Sequence, residues 1–227
     1  MKKTVFYTEA AYFVGLLLLA LGTALTAYGG FGISMVVAPA YILHLFLSPH
    51  FPFFSFGVAE YCMQAVILLL LTLLLRKAKL SYLLSFAAAI IYGFLLDGAM
   101  HLTSLLPVNL FLQIAAYLLG VGLCTFSIAL LFASYLPPAA YEMFVKEFSQ
   151  ELHKPIHRIK TFYDCASLAL ALILSLAFFG NIQGIGIGTI LCALCYGTII
   201  RFWATCFEKR LCFTDKFPLR HYFKNER

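Results

Sequence analysis

The sequence predicts an all-α integral membrane protein whose six transmembrane helices form two inverted three-helix repeats. Hydrophobic residues make up 63% of the 227 residues and charged residues only 11%, whereas soluble domains carry about 25% charged residues. Several apolar runs reach the roughly 20 residues that a helix needs to cross about 30 Å of hydrocarbon. The second half of the chain also repeats the first. Together these observations predict one membrane domain over residues 1–227.

Six apolar runs are long enough to span a bilayer. They cover residues 9–28, 54–75, 80–102, 108–135, 161–179 and 187–207. The first run follows Lys2 and Lys3, as a signal peptide would. It is as long as a full span, however, and no small-x-small cleavage site precedes further apolar sequence. We therefore interpret it as the first transmembrane helix.

Two ungapped shifts of the sequence reveal the repeat. A shift of 104 positions superposes Glu60 on Asp164, Tyr92-Gly93 on Tyr196-Gly197 and Asp97 on Arg201. A shift of 100 superposes Gly22 on Gly122, Ser34 on Ser134 and Ala40-Tyr41 on Ala140-Tyr141. Repeat one therefore covers about residues 9–104 and repeat two about residues 108–208, before a basic tail over residues 209–227.

The basic residues predict the orientation. The amino terminus, the connections after spans two and four, and the tail hold 15 of the 16 Lys and Arg residues, and Arg201 is the exception. Residues 29–53, 103–107 and 180–186 contain none. Basic loops stay in the cytoplasm, so both termini are predicted cytoplasmic. Three spans per half make the second repeat inverted. Because membrane orientation accounts for the net charge of +6, we expect no nucleic-acid partner.

A segment broken by glycine and proline follows the first span. Gly29, Gly30, Gly32 and Pro39 interrupt it, so it is predicted to re-enter the membrane or to lie at its surface. Exposed backbone at membrane depth requires protein or water partners, which would place this segment beside a solute path. A tight connection between packed helices is the alternative. Its counterpart in the second repeat, residues 136–152, is amphipathic.

Three motifs resemble the YitT/YczE-like family of small bacterial membrane proteins. They are Gly29-Gly30-Phe31-Gly32 with Pro39 and Leu43-His44, Pro137-Pro138 through Arg158 to Asp164, and Gly184-Ile185-Gly186-Ile187-Gly188-Thr189 continuing to Gly197. The resemblance covers most of residues 10–207. It implies a duplicated multi-span fold in the bacterial cytoplasmic membrane and carries no settled activity. The chain departs from the pattern at Ala38-Pro39-Ala40, where these proteins tend to have a Pro-Trp-Asp type sequence.

Four ionisable residues lie within or beside the spans, where charge is costly. We expect Glu60 and Asp97 to form an outer acidic site for a cation or a proton, and Asp164 and Arg201 to pair at the inner mouth. Helix capping by Glu60 and Asp164, and snorkelling of Arg201 to the headgroups, are the structural alternatives. Capping is the favoured interpretation of Glu60 and Asp164, and Asp97 is the favoured functional acid.

The remaining motifs are weaker evidence for a functional site. Tyr92 and Tyr196 line a cavity or, beside Gly93 and Gly197, mark close helix packing. His153 and His157 have Pro155 between them and lack the glutamate of a zinc protease motif. The seven cysteines suggest apolar packing. We therefore expect no enzyme activity, no cofactor and no metal.

The expected function is transport of a small solute, cationic or coupled to protons, by alternating access between the repeats. One rival is a substrate-capturing subunit of an ATP-driven uptake system, since Ala20-x-x-x-Ala24 would suit a partner membrane helix. A non-transporting scaffold or regulator is another. The lipid bilayer, the solute, and a partner helix or second copy are the expected partners.

Overall fold

The computed structural model describes residues 4–77, 79–137 and 139–215. Within these ranges the chain forms eight helices and two short strands. They are β1 (Thr4–Tyr7), α1 (Thr8–Gly29), α2 (Ala38–Leu47), α3 (Phe56–Leu75), α4 (Leu80–Ser104), α5 (Leu110–Ala133), α6 (Ala140–Glu151), α7 (Ile156–Phe179), α8 (Ile187–Arg210) and β2 (Leu211–Thr214).

Six of these helices match the predicted spans. Helices α1, α3, α4, α5, α7 and α8 are long and apolar enough to cross a membrane, so the protein is a multi-pass membrane protein. Their ends differ little from the prediction, except that α7 begins at Ile156 instead of residue 161. Residues 156–160 include His157, Arg158 and Lys160, and these lower the mean hydropathy of a window that covers them.

The two interrupted segments contain the short helices. Helix α2 has 10 residues and is therefore about 15 Å long, half the thickness of the hydrocarbon layer. Pro39 lies in its first turn. The N–H groups of a first turn have no partner within the helix, so a proline there removes no hydrogen bond. Helix α6 has 12 residues with an apolar and a polar face. Each half thus has the same order of one long, one short and two long helices.

Helices α1 and α5 form the centre of the bundle. Gly22 of α1 and Gly120 of α5 face each other so closely that a Cβ on either would lie 2.9 Å or less from the other's carbonyl oxygen. Helix α4 packs on α1 as α8 packs on α5, and α2 packs on α7 as α6 packs on α3. These pairs correspond under exchange of the halves. Two pairs do not: α3 packs on α4 and α4 on α6, whereas no comparable packing joins α7 to α8 or α8 to α2 in the described part of the chain.

The bundle has a basic end and an uncharged end. At the basic end, the Lys79 ammonium contacts Glu147 at 2.7 Å and that of Lys77 contacts Glu151 at 2.6 Å. The hydrogen bond and charge of Lys77 lower the pKa of the Glu151 carboxyl. At the uncharged end, the connections 30–37, 48–55, 105–109 and 180–186 lack Lys, Arg, Asp and Glu.

The two strands were missed at the level of the sequence. Strands β1 and β2 pair in parallel, with Thr4 opposite Leu211 and Tyr7 opposite Thr214, so the fold is not purely helical. The residues before α1 and after α8 are thereby joined, and Phe6, Phe213 and Trp203 pack on a small core around Phe207. The sheet also replaces the first part of the predicted tail. Residues 1–3 and 216–227, with Lys2, Lys3 and the rest of that tail, lie outside the described residues.

Labelling of single cysteines tests the two ends. We expect Val108→Cys and Ile182→Cys to react with an impermeant maleimide on intact cells, and Lys77→Cys to react only after permeabilisation, because basic connections stay inside. All three side chains are exposed. Each variant is made in a background without the native cysteines. Labelling of Val108→Cys and Ile182→Cys from opposite sides would contradict the predicted orientation.

Candidate functional site

A cavity of about 280 Å³ lies between the two halves. Every helix except α2 contributes to its lining, together with residues 34–37 before α2 and Ala139 before α6. Much of its wall is aliphatic, from residues such as Leu16, Ala88, Ile128 and Leu131. Its ionisable side chains are Glu60, Glu142, Lys160, Asp164 and several tyrosines and cysteines. A cavity lined by both halves is where a solute site is expected.

Glu60 is the most deeply buried acid of the cavity wall. Its side chain is fully buried on the second turn of α3. The Tyr141 hydroxyl donates to Glu60 Oε1 at 2.8 Å, and the Gln64 amide approaches the same oxygen at 3.5 Å. Glu60 Oε2 is also shielded from solvent and has no hydrogen-bond partner among the described residues. This oxygen is free to accept a hydrogen bond from a bound solute.

The first turn of α6 is held against the same part of α3. The backbone N–H of Ala140 donates to Gln64 Oε1 at 3.3 Å, and Gln64 is the ninth of the 20 residues of α3. Three residues before Ala140, the carbonyl of Pro137 accepts a hydrogen bond from the Tyr12 hydroxyl at 3.0 Å. Helix α6 therefore begins near the middle of α3 and extends to the basic end, where Lys79 binds Glu147.

Asp164 lies on the cavity wall and pairs with a neighbour on its own helix. The Lys160 ammonium lies 2.8 Å from Asp164 Oδ1, four residues away on α7. Arg201 is exposed on α8, and the structure records no ion pair between it and Asp164 in the described part of the chain. The expected pair at the inner mouth is therefore not formed in this conformation. Glu142, in the first turn of α6, is the third acid of the wall.

Asp97 does not line the cavity. The Ser55 hydroxyl donates to Asp97 Oδ2 at 2.5 Å, and the backbone N–H of Gly57 donates to Oδ1 at 2.7 Å. A carboxylate at the positive end of a helix satisfies free N–H groups and the helix dipole. Asp97 therefore caps α3, whereas Glu60, for which capping was the favoured interpretation, lies on the cavity wall. The structure does not join them in one acidic site.

The repeat-related tyrosines both line the cavity. The buried Tyr92 hydroxyl donates to Thr23 Oγ1 at 3.0 Å, and Tyr196 lies on α8 opposite. Tyr92 thereby also joins α4 to α1. The expected alternatives for these residues, lining and packing, are both present at Tyr92.

The glycines beside these tyrosines have different surroundings. A Cβ on Gly93 would lie 2.8 Å from the Gly57 carbonyl oxygen and 2.9 Å from Tyr61 Cδ1. A Cβ on Gly197 would meet nothing within 4 Å, and Gly197 lines the cavity. We call α3 and α4 the closed pair and α7 and α8 the open pair. The two pairs are equivalent in the repeat but differ in packing.

Two glycine-rich segments meet at the uncharged end. The Gly188 N–H donates to the Phe31 carbonyl at 2.8 Å and the Ile33 N–H to the Gly184 carbonyl at 3.2 Å. Gly32 has φ of +102°, and a Cβ there would lie 2.5 Å from the Gly186 nitrogen. We call residues 30–33 and 184–188 the glycine seam.

The other residues predicted to interrupt the segment after α1 contact a neighbouring helix or mark a helix end. Gly29 contacts Tyr117 of α5, Gly30 ends α1 with a left-handed φ of +72°, and Pro39 lies in the first turn of α2.

Sequence reasoning missed Gln64, Tyr141 and Lys160. Gln64 follows Glu60 by one helical turn and Lys160 precedes Asp164 by one turn, so helical periodicity could have identified both. Tyr141 occurs in the second repeat shift, but no local pattern shows that it contacts Glu60. The Ala20 and Ala24 stripe is fully buried against the chain's own helices, so it offers no surface to a separate partner helix.

The chain belongs to the family described as a family of unknown function (DUF6198), whose profile matches residues 6–205. No curated protein and no solved structure matches the chain. The match supports this membership only, so the finer resemblance to YitT/YczE-like proteins stays a prediction.

The glycine seam predicts a matched pair of alanine variants. Gly32→Ala should lower stability by roughly 1–3 kcal/mol, because the new Cβ meets Gly186 and φ is positive. Gly122→Ala is the control, since a Cβ there meets nothing within 4 Å and alanine favours helix. Thermal unfolding of both purified variants in the same detergent is the measurement. Equal melting temperatures for Gly32→Ala and the unmodified chain would contradict the close contact.

Proposed function

We propose that this member of the DUF6198 family transports a small solute by alternating access between two inverted three-span halves. We further propose that it does so in the cytoplasmic membrane of a bacterium, with both termini in the cytoplasm. The observation that carries the proposal is the difference between the closed pair and the open pair. Two helix pairs equivalent in sequence have different packing around one cavity, as expected of a repeat protein trapped in one of two related states.

The closed pair shows what closure of the open pair requires. Gly57 and Gly93 bring α3 and α4 together, and their repeat counterparts are Thr161 and Gly197. Both counterparts are exposed, and Gly197 has space for a neighbour. Helix α7 can therefore approach α8 at Gly197, as α3 approaches α4 at Gly93. In the exchanged state the closed pair would open.

The basic and uncharged ends identify the accessible side. Residues 180–186 join α7 to α8 at the uncharged end, where the glycine seam also lies. The open pair is therefore expected to separate most at the basic end, close to Lys160 and Asp164. Since basic connections stay in the cytoplasm, the structure corresponds to an inward-facing state.

The short helices support a re-entrant arrangement. Helix α6 begins beside Gln64, about halfway along α3, and the amide of Gln64 accepts the Ala140 N–H. Backbone at this depth needs such a partner, because hydrocarbon provides none. We infer that α2 re-enters from the uncharged end, as α6 does from the basic end, since α2 packs between α3 and α7.

Cross-linking tests the exchange directly. In a chain whose seven native cysteines are replaced by alanine, Thr161→Cys and Arg201→Cys are introduced together. Their counterparts Gly57 and Asp97 are in contact in the closed pair. We expect a short bifunctional thiol reagent to link them in membranes, because closure of the open pair brings α7 onto α8. Each single cysteine variant shows the background.

Lys77→Cys with Glu151→Cys is the positive control for this experiment, because the native side chains lie 2.6 Å apart. If this control pair is linked and Thr161→Cys with Arg201→Cys never is, the open pair does not close and the alternating mechanism is wrong.

A second matched pair of variants shifts the balance between states. The Cβ of Gly93→Ala obstructs the contact of α3 with α4 and should favour the outward-facing state. The Cβ of Gly197→Ala obstructs the contact of α7 with α8 and should favour the inward-facing state. Each substitution shifts the populations because it affects the two states differently. The readout is labelling of Ala193→Cys, which lines the cavity, by an impermeant maleimide from each side. We expect severalfold more outside labelling with Gly93→Ala than with Gly197→Ala. Indistinguishable labelling in the two variants would contradict the proposal.

A further inference from the structure

We propose that the cavity binds a small organic monocation, whose ammonium or guanidinium N–H donates to Glu60 Oε2 and whose apolar part lies against the aliphatic wall. This inference rests on the proposed function in one respect only: it takes the cavity to be the solute site. It adds the chemical class of the solute and the side chain that recognises it.

The unpartnered oxygen of Glu60 determines the charge of the solute. Among the described residues, Oε1 receives the Tyr141 hydroxyl and the Gln64 amide, and Oε2 receives nothing. A buried carboxylate needs a cation or several hydrogen bonds to remain ionised. No Lys, Arg or His among the described residues forms an ion pair with Glu60. A bound cation would complete the site.

The other charges of the wall also favour a cation. Lys160 is already paired with Asp164 at 2.8 Å, so its charge is offset within the wall. Glu60 and Glu142 then remain as two acids lining the cavity without an ion pair in the described part of the chain. A cleft with an excess of one charge attracts ligands of the opposite charge. An anionic solute would instead meet like charges.

The volume and the apolar wall indicate an organic molecule. The cavity of about 280 Å³ equals about nine water molecules at roughly 30 Å³ each. A bare metal ion would leave most of this space to water beside aliphatic side chains. A compact amine with an apolar group of six to ten heavy atoms would fill it. Leu16, Ala88, Ile128 and Leu131 would contact the apolar group, while Glu60 would receive the N–H.

A binding experiment with isosteric probes tests the inference. Benzylamine and phenethylamine are the cationic probes, and benzyl alcohol and 2-phenylethanol are their neutral isosteres. We expect the amines to bind the purified chain, as measured by calorimetry and by thermal shift. The alcohols should bind at least tenfold more weakly, because only the ammonium carries a positive charge and forms a charge-assisted hydrogen bond with both partners ionised.

Glu60→Gln keeps the size of the side chain and removes its charge. We expect it to weaken amine binding at least tenfold and to leave alcohol binding unchanged. Glu151→Gln is the matched control, since Glu151 is exposed at the basic end, and it should bind amines like the unmodified chain. The melting temperature of ligand-free Glu60→Gln checks the fold. We expect it to equal or exceed that of the unmodified chain, because an unpartnered buried carboxylate is removed.

If Glu60→Gln does not fold, Glu60→Asp replaces it. Its carboxylate is withdrawn by one methylene, so amine affinity should fall while the preference for amine over alcohol is kept. Equal affinity of amines and alcohols for the unmodified chain would overturn the inference, as would unchanged amine affinity in Glu60→Gln.

The outcomes also separate this inference from the proposed function. Amine binding that depends on Glu60, without cross-linking of Thr161→Cys and Arg201→Cys, would retain the solute class and reject alternating access. Cross-linking without amine binding would retain alternating access and reject the solute class.

Discussion

The close contact of α3 with α4 at Gly57 and Gly93 is the main difference in packing between the two halves. Two backbones approach there because neither residue carries a side chain, and a Cβ on either would meet the other helix. Asp97 stabilises this approach, since its carboxylate receives the Ser55 hydroxyl and the Gly57 N–H across the helix pair. The equivalent positions on α7 and α8 retain a glycine but replace the acid by Arg201. A guanidinium cannot accept an N–H, so on the proposed mechanism the contact of α7 with α8 needs other partners.

The burial of polar groups explains the rest of the interior. Low-dielectric surroundings make each unpaired polar atom costly, and the Gln64, Tyr141, Tyr92 and Tyr12 side chains each have a partner on another element. Among the described residues of the cavity wall, Glu60 Oε2 and Asp164 Oδ1 accept no hydrogen bond, and of the two only Asp164 has an ion pair, with Lys160. An unpartnered buried carboxylate oxygen lowers the folding stability. A bound solute that donates to Glu60 Oε2 would explain why the protein retains this side chain. The same reasoning assigns Asp97 to packing, because both of its oxygens are already bonded.

The sequence predicted those parts of the fold that depend on local signals and missed those that depend on contacts between distant residues. Spans such as α1 and α5 were predicted well because hydropathy and length determine them locally. Their close approach could also be anticipated from the glycines of α1. The sheet of β1 and β2 could not, because its partners are separated by more than 200 residues and each strand has only four. For a similar reason, the sequence did not show which of Glu60 and Asp97 lies on the cavity wall. Both were recognised as costly charges, but only tertiary structure shows that Asp97 faces the first turn of α3 and that Tyr141 of α6 reaches Glu60.

Distances between spin labels in lipid would test the central claim most directly, namely that the two helix pairs exchange states. One label pair is placed at Arg158 and Thr205, near the basic ends of α7 and α8, and the other at Phe53 and Leu102, near the uncharged ends of α3 and α4. Electron paramagnetic resonance should show two distances for each pair, with the shorter distance of one accompanying the longer distance of the other. Conditions that enrich one state, including Gly197→Ala, should change both distributions in opposite directions. A single unchanging distance for each pair, the same in Gly93→Ala and Gly197→Ala, would show a rigid bundle and contradict the account.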